Sequence, residues 1–210
     1  MRRLNRENLV WGGIFLTLQA LVWARNFIIG YIDFYWFCDF APMVFAVFFF
    51  CDAPQGAKGL IHIGLLGQLL YTVSFLSAAA FGIPLFGFPI DLTLGAFSVT
   101  ITFVMHQSVV LALFATRHVP AAPRSLLYSA IILLGVYIAV LSLADPTLAT
   151  QENYNYIYSG DPLNFIPFYT ELWIGVAMCV AVLPAFAFEK IPDALLLLIH
   201  NIRHRYAASS

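Results

Sequence analysis

Seven side chains with hydrogen-bonding or acid–base capacity interrupt otherwise apolar stretches: Arg25, Cys38, Asp39, Gln68, His106, Gln107 and Glu171. A cation and a carboxylate in such surroundings offset each other's desolvation by pairing, so Arg25 and Asp39 read as an ion pair between neighbouring helices. The other reading has Arg25 extending its head to the nearest headgroups. Cys38 directly precedes Asp39. Its thiol is either a small apolar filler or, with the Arg25 charge favouring thiolate, a nucleophile. His106, in Phe103-Val104-Met105-His106-Gln107-Ser108, could be a general base, a proton relay, a metal or haem ligand, or an inter-helix hydrogen-bonding group. No second histidine shares its depth to complete a two-histidine haem site, and too few His, Cys, Asp or Glu do so to fill a metal shell. No cofactor is therefore expected. Gln68 could orient His106 or bond a neighbouring helix. Glu171, between Tyr169 and Trp173, fits a surface position in an interfacial aromatic belt.

The elements that must hold these residues are membrane spans. The 210 residues are 61% hydrophobic and 10% charged, and mean hydropathy is +0.86. Soluble domains run about 45–50% apolar and about 25% charged, so a water-soluble globule is excluded. Disorder is excluded by the same arithmetic. Lys+Arg 10 against Asp+Glu 11 leaves no basic excess for nucleic acid. Crossing a bilayer core takes about 20 apolar residues. Six such windows occur, near 8–30, 34–51, 60–82, 93–116, 125–144 and 167–188, predicting an all-α, six-helix polytopic bundle over residues 1–190. The basic start Met1-Arg2-Arg3 runs into an apolar stretch too long for a cleaved signal, which reads as a retained first span. Arg2, Arg3, Arg6, Lys58, Arg117, Arg124, Lys190, Arg203 and Arg205 fall in the termini or in the loops after spans two and four. The positive-inside rule then places both termini in the cytoplasm. The opposite loops carry Asp33, Asp91, Asp145, Glu152 and Asp161 and no Lys or Arg. Residues 191–210 form a cytoplasmic tail, either an amphipathic helix along the interface or the solvated basic end of the last span. Asn153-Tyr154-Asn155-Tyr156 reads as a lid over the bundle mouth or as an ordinary polar loop. Cys51 and Cys179 read as packing residues.

Several of these features recur together in a known order. Cys38-Asp39 early in span two is followed by His106 in a later span, the basic, proline-containing stretch Arg117 to Arg124, Asn153-Tyr154-Asn155-Tyr156, Pro162, and Pro167-Phe168-Tyr169 leading to Glu171. The pattern, over roughly residues 30–185, resembles the YwaF-like family of small bacterial membrane proteins, which includes the eukaryotic transmembrane protein 164. Trp36-Phe37 stands where many bacterial members carry a histidine and an apolar residue. The resemblance implies a helical bundle in a bacterial cytoplasmic membrane. Through the eukaryotic member it implies a lipid acyltransferase in which a cysteine takes an acyl group from a phospholipid and passes it to a lysophospholipid, with a histidine as partner. The matching positions are Cys38 and His106. Arg25 and Asp39 would support the charge, with Gln68, Asn153, Tyr154 and Glu171 around them. Hydrolysis by water is the variant reaction. Residue counting, however, puts Cys38 about 6–10 Å below the membrane boundary and His106 roughly 20 Å below it.

Two other functions fit the same residues. One is a carrier or receptor binding a small molecule or lipid between Arg25, Asp39, Tyr154 and Glu171. The other is a non-catalytic subunit with a protein partner or a second copy, for which Gly64-x-x-Gly67 would allow close helix approach.

Overall fold

The computed structural model describes residues 5–30, 36–86, 90–143, 155, 157 and 165–191, and every regular element among them is helical. Helix α1 is Arg6–Ile28, opened by Asn5, whose side chain accepts the Glu7 N–H at 3.2 Å. Helix α2 is Phe37–Phe50. Helix α3, Pro54–Phe81, starts on a proline, which gives up an N–H that a first turn leaves unpaired anyway. It ends at Gly82, whose φ of +72° glycine adopts without a Cβ penalty. Helices α4, Ala96–Met105, and α5, Ser108–Ala115, meet at a 45° bend. Helix α6 is Pro123–Leu143, and α7 is Tyr169–Ile191.

By length and composition α3, α6 and α7 can each cross a membrane, and the bent pair α4–α5 makes a fourth span if it is one. These are the helices of an integral membrane protein. Of the six expected spans, three are long and apolar enough, or four with the bent pair, and α1 and α2 fall short. At 14 residues, α2 reaches about 21 Å against a hydrocarbon core of about 30 Å. Helix α1 is long enough at 23 residues, but Gln19, Arg25 and Asn26 lower its hydropathy. Both shortfalls come from the segments that carry the polar cluster. The tail from Pro192, the loop residue Asp33, and Asn153, Tyr154 and Pro162 lie outside the described residues.

Helix α6 shows why this sequence suits lipid. Leu127, Ile131, Leu134, Ile138 and Leu141 form an exposed stripe, while Ser125 and Ser129 are buried with Leu133 and Val140. That is the reverse of a soluble amphipathic helix, and it lets the hydroxyls bond inside the bundle. Ser129 Oγ donates to the Gly59 carbonyl at 2.8 Å. A Cβ on Gly59 would lie 2.7 Å from the Ser125 carbonyl oxygen, so only glycine permits this approach of α3 to α6.

Helix α3 is central, packing on α2, α5, α6 and α7. Phe15, Phe45 and Phe49 stack between α1 and α2, with centroids 5.0 and 5.5 Å from Phe15. Gly64 also packs inside the chain, because a Cβ there would strike Phe37 and Val109. Half of the expected Gly64-x-x-Gly67 partner surface is therefore internal packing, and only Gly67 faces open space.

Proline shapes two of the helices. In α7, Pro184 offers no N–H, and the helix widens to π geometry over Met178–Val182, where the Leu183 N–H reaches back to the Met178 carbonyl. In α2, Pro42 leaves the Cys38 carbonyl without its usual i+4 donor. The fully buried Gln19 of α1 spans this turn: its Nε2 donates to the Asp39 carbonyl at 2.7 Å and its Oε1 accepts the Met43 N–H at 2.9 Å. Gln19→Leu is expected to destabilise the α1–α2 pair by about 1–3 kcal/mol through the unsatisfied carbonyl, read by thermal unfolding in micelles.

The expected second connection is corrected by the start of α3. The sequence predicts Lys58 as a loop cation, but α3 begins at Pro54 and Lys58 lies buried within it. The physical reason is its partner: Glu189, near the end of α7, accepts from the Lys58 ammonium at 2.5 Å.

Candidate functional site

The polar residues of α1, α2, α3 and the α4–α5 bend converge near the start of α2. Arg25 lies in the last turn of α1, where a cation complements the carbonyl end of the helix dipole. Its Nη1 donates to Asn26 Oδ1 at 2.6 Å, and Asn26 Nδ2 donates to Asp39 Oδ1 at 3.3 Å. The expected Arg25–Asp39 ion pair is corrected here. Among the described residues no direct salt bridge joins them; the Asn26 amide sits between and bonds to both. Asp39 is buried in the first turn of α2, where a carboxylate suits the N–H end of the helix. Among the described residues the buried Arg25 Nε has no hydrogen-bond partner.

Cys38, half-buried on the same first turn, packs against the buried cluster that Leu18 and Val22 of α1 form with Ile101 and Met105 of α4. Met105 is the residue before His106.

His106 sits at that bend. Its Nδ1 is 2.7 Å from the Thr102 carbonyl. A carbonyl only accepts, so Nδ1 carries the proton and Nε2 carries the lone pair. Tyr71 of α3 stacks on the ring at 3.5 Å between centroids and 8° between planes. The Arg25 charge acts on Cys38, Asp39, Tyr71 and His106, and Tyr71 and Cys38 also interact electrostatically, so the five form one neighbourhood. Among the described residues no hydrogen bond joins Cys38 to His106.

Gln68 does not orient His106; that is done by Tyr71 and Thr102. Its Oε1 accepts the Val109 N–H at 3.0 Å and its Nε2 donates to Ser108 Oγ at 3.3 Å, capping the start of α5. Gln107 Nε2 donates to Thr72 Oγ1 at 2.8 Å. The bend is thus stitched to α3 by amides that replace helix bonds. No Gly or Pro marks it; the run His-Gln-Ser, able to satisfy freed backbone groups, is the only sequence signal.

The connection before α7 also reaches this site. Asn155 adopts a left-handed φ of +52°, tolerated by its short polar side chain. Its Oδ1 accepts the Phe37 N–H at 2.7 Å, capping α2 one residue before Cys38. Trp173 holds Asn155 from α7, its indole N–H donating to the Asn155 carbonyl at 3.1 Å. Trp173 is therefore buried against Tyr137 rather than standing in an interfacial belt. Glu171 is exposed on the first turn of α7, as a surface residue should be. Sequence reading missed Gln19, Asn26 and Tyr71, and it gave Asn155 to a lid or polar loop without foreseeing its bond to Phe37. Outside the spans, the Thr93 hydroxyl and N–H hold the Asp91 carboxyl below its ordinary range.

Among the described residues, no group of three or more His, Cys, Asp or Glu could hold a metal ion. A thiol, an imidazole with its basic nitrogen defined and a guanidinium with an N–H unbonded among the described residues are brought together by four helices. No protein-family model, curated protein or solved structure matches the chain.

Proposed function

We propose that the protein is a six-span membrane enzyme, both termini cytoplasmic, that moves acyl groups between membrane lipids through Cys38 and His106. The observation that carries this reading is the grouping of Cys38, His106 and Arg25 around the first turn of α2. The residue pattern resembling the YwaF-like family supports it independently. The short α2 and polar α1 count as spans in this topology, with Gln19 and Asn26 of α1 bonding to α2 inside the bundle.

The steps balance without an outside reagent. His106 Nε2 takes the Cys38 proton, and the thiolate adds to the ester carbonyl of a phospholipid. The Arg25 Nε–H is the donor available to the oxyanion, a role worth about 10²–10³ in rate. The C–O bond breaks, and the leaving lysophospholipid oxygen takes the proton back from His106. A hydroxyl of a second lysophospholipid, deprotonated by His106, then attacks the thioester and releases the thiol. Water in that position gives hydrolysis instead. Closure of the Cys38–His106 pair on substrate is required, since apo geometry often leaves such bonds long.

Purified protein given phospholipid with a labelled acyl chain is expected to acquire a hydroxylamine-sensitive label on Cys38, and Cys38→Ala to acquire none. Equal acyl exchange by Cys38→Ala would end this assignment. The absence of a Cys38–His106 hydrogen bond favours a second reading, a carrier or receptor that binds an anionic lipid headgroup or small molecule at Arg25 without chemistry. Binding that survives Cys38→Ala and fails in Arg25→Ala would favour it.

A further inference from the structure

Helix α2 begins without a capping side chain of its own. Trp36 stands at its N-cap, and an indole N–H only donates, so it offers nothing to the N–H groups of the first turn. The Asp39 N–H turns back to the Trp36 carbonyl at 3.0 Å. The Phe37 N–H is satisfied instead by Asn155 Oδ1 at 2.7 Å, from 118 residues away. Both sides of that bond are anchored in one buried cluster. Ile157, two residues after Asn155, is fully buried in the group that includes Leu133 and Trp173, and Trp36 packs against the same group. Trp173 also grips the Asn155 backbone, its indole N–H on the carbonyl at 3.1 Å. A left-handed φ of +52° carries some strain even for asparagine, and these contacts hold it there.

We propose that Asn155 is a positioning residue for Cys38, holding the first turn of α2 so that the thiol stays against α4. This role rests on the acyl-transfer reading, in which the thiol must meet His106 and an ester carbonyl in turn. Cys38 is the second residue of α2, one place after the bonded Phe37. Side-chain direction on a helix follows its backbone, so a frayed first turn swings the sulfur away from the α4 cluster. The other ties on this turn do not replace Asn155. Gln19 bonds the Asp39 carbonyl and Asn26 the Asp39 carboxyl, both beyond Cys38 in the chain. The Phe37 ring, edge-on to Phe40 at 5.6 Å, anchors that residue but satisfies no N–H. Only the Asn155 amide fixes the backbone on the N-terminal side of the thiol. Through Trp173, α7 thereby takes part in aiming it.

Two variants separate the side chain from the rest. Asn155→Gly accepts the positive φ and keeps the carbonyl for Trp173, so it removes the amide alone. Asn155→Asp restores an acceptor of the same length on a residue that also visits the left-handed region. Both are made in full-length protein with the exposed Cys51 and Cys179 changed to Ser, so that only Cys38 reacts. Two rates are read in micelles, with circular dichroism following the fold: alkylation of Cys38 by N-ethylmaleimide, and its single-turnover acylation by phospholipid with a labelled chain. In Asn155→Gly, alkylation is expected to rise about 3–10-fold as the uncapped turn opens. Acylation at saturating phospholipid is expected to fall about 10–10²-fold, with the half-saturating concentration unchanged. Asn155→Asp is expected to return both rates toward those of the parent. Unchanged alkylation in Asn155→Gly, both rates moving the same way, a loss carried by the half-saturating concentration, or no recovery in Asn155→Asp would each overturn the role. A parent protein that takes no acyl label ends the acyl-transfer reading instead. The alkylation rates then decide alone: a rise in Asn155→Gly that Asn155→Asp reverses supports a hold on the thiol, and any other pattern overturns it.

Discussion

His106→Gln is expected to slow acyl transfer by about 10²–10⁴ while the helical fold persists. Glutamine retains a donor that can reach the Thr102 carbonyl and a planar group that can lie on Tyr71, so the α4–α5 bend keeps its two anchors. What it lacks is a basic nitrogen. In the mechanism proposed above, His106 takes a proton in both half-reactions, so labelling of Cys38 and discharge of the label should slow together. Tyr71→Phe is the control, because it keeps the stacked ring. A histidine that only braced the bend would give a different result: reduced thermal stability with an unchanged rate per folded molecule. Single-turnover labelling and an unfolding curve on the same preparation separate the two.

How far these residues could be read in advance follows from the physics at each. Cys38, Asp39 and His106 stand out because ionisable or nucleophilic groups in an apolar segment are costly wherever they are placed. The helices are legible for a similar reason, since backbone groups in lipid must bond within their own segment. Gln19 and Asn26 are less visible, because a neutral amide inside a span has many uses, and only the packed α2 shows that one bridges the Pro42 turn while the other separates Arg25 from Asp39. Tyr71 reads as one more aromatic in an aromatic-rich chain until its ring is found on His106. Lys58 shows the opposite failure. Four residues after a proline and beside glycines, it has the composition of a loop, and its burial depends on a carboxylate 131 positions away. Long-range pairing of that kind leaves no local periodicity.

The two polar centres are held by the same two helices. Helix α3 carries Gln68, Tyr71 and Thr72 to the Cys38 neighbourhood and Lys58 and His62 to the opposite cluster. Helix α7 holds Asn155 through Trp173 and carries Glu189 near its end. The π widening and Pro184 lie between those two duties of α7. A change in how α7 sits on α3 would therefore reach the Asn155 cap one residue from Cys38.

Glu189→Ala is expected to be the most destabilising single change outside the Cys38 neighbourhood, by about 3–5 kcal/mol, because it leaves a buried ammonium without its counter-charge. His62 Nε2–H loses its acceptor in the same step, adding an unsatisfied buried donor. The size of this loss does not measure how much the ion pair stabilises the fold, since desolvating both charges offsets most of their attraction. A combined variant makes the distinction: Lys58→Met with Glu189→Leu and His62→Leu removes every charge and polar atom of the cluster and is expected to unfold near the wild-type temperature. Recovery in the triple variant would mean that the loss in Glu189→Ala comes from the uncompensated charge left behind and not from a net stabilisation by the ion pair. A triple variant as unstable as Glu189→Ala would instead assign the three residues to holding α7 against α3.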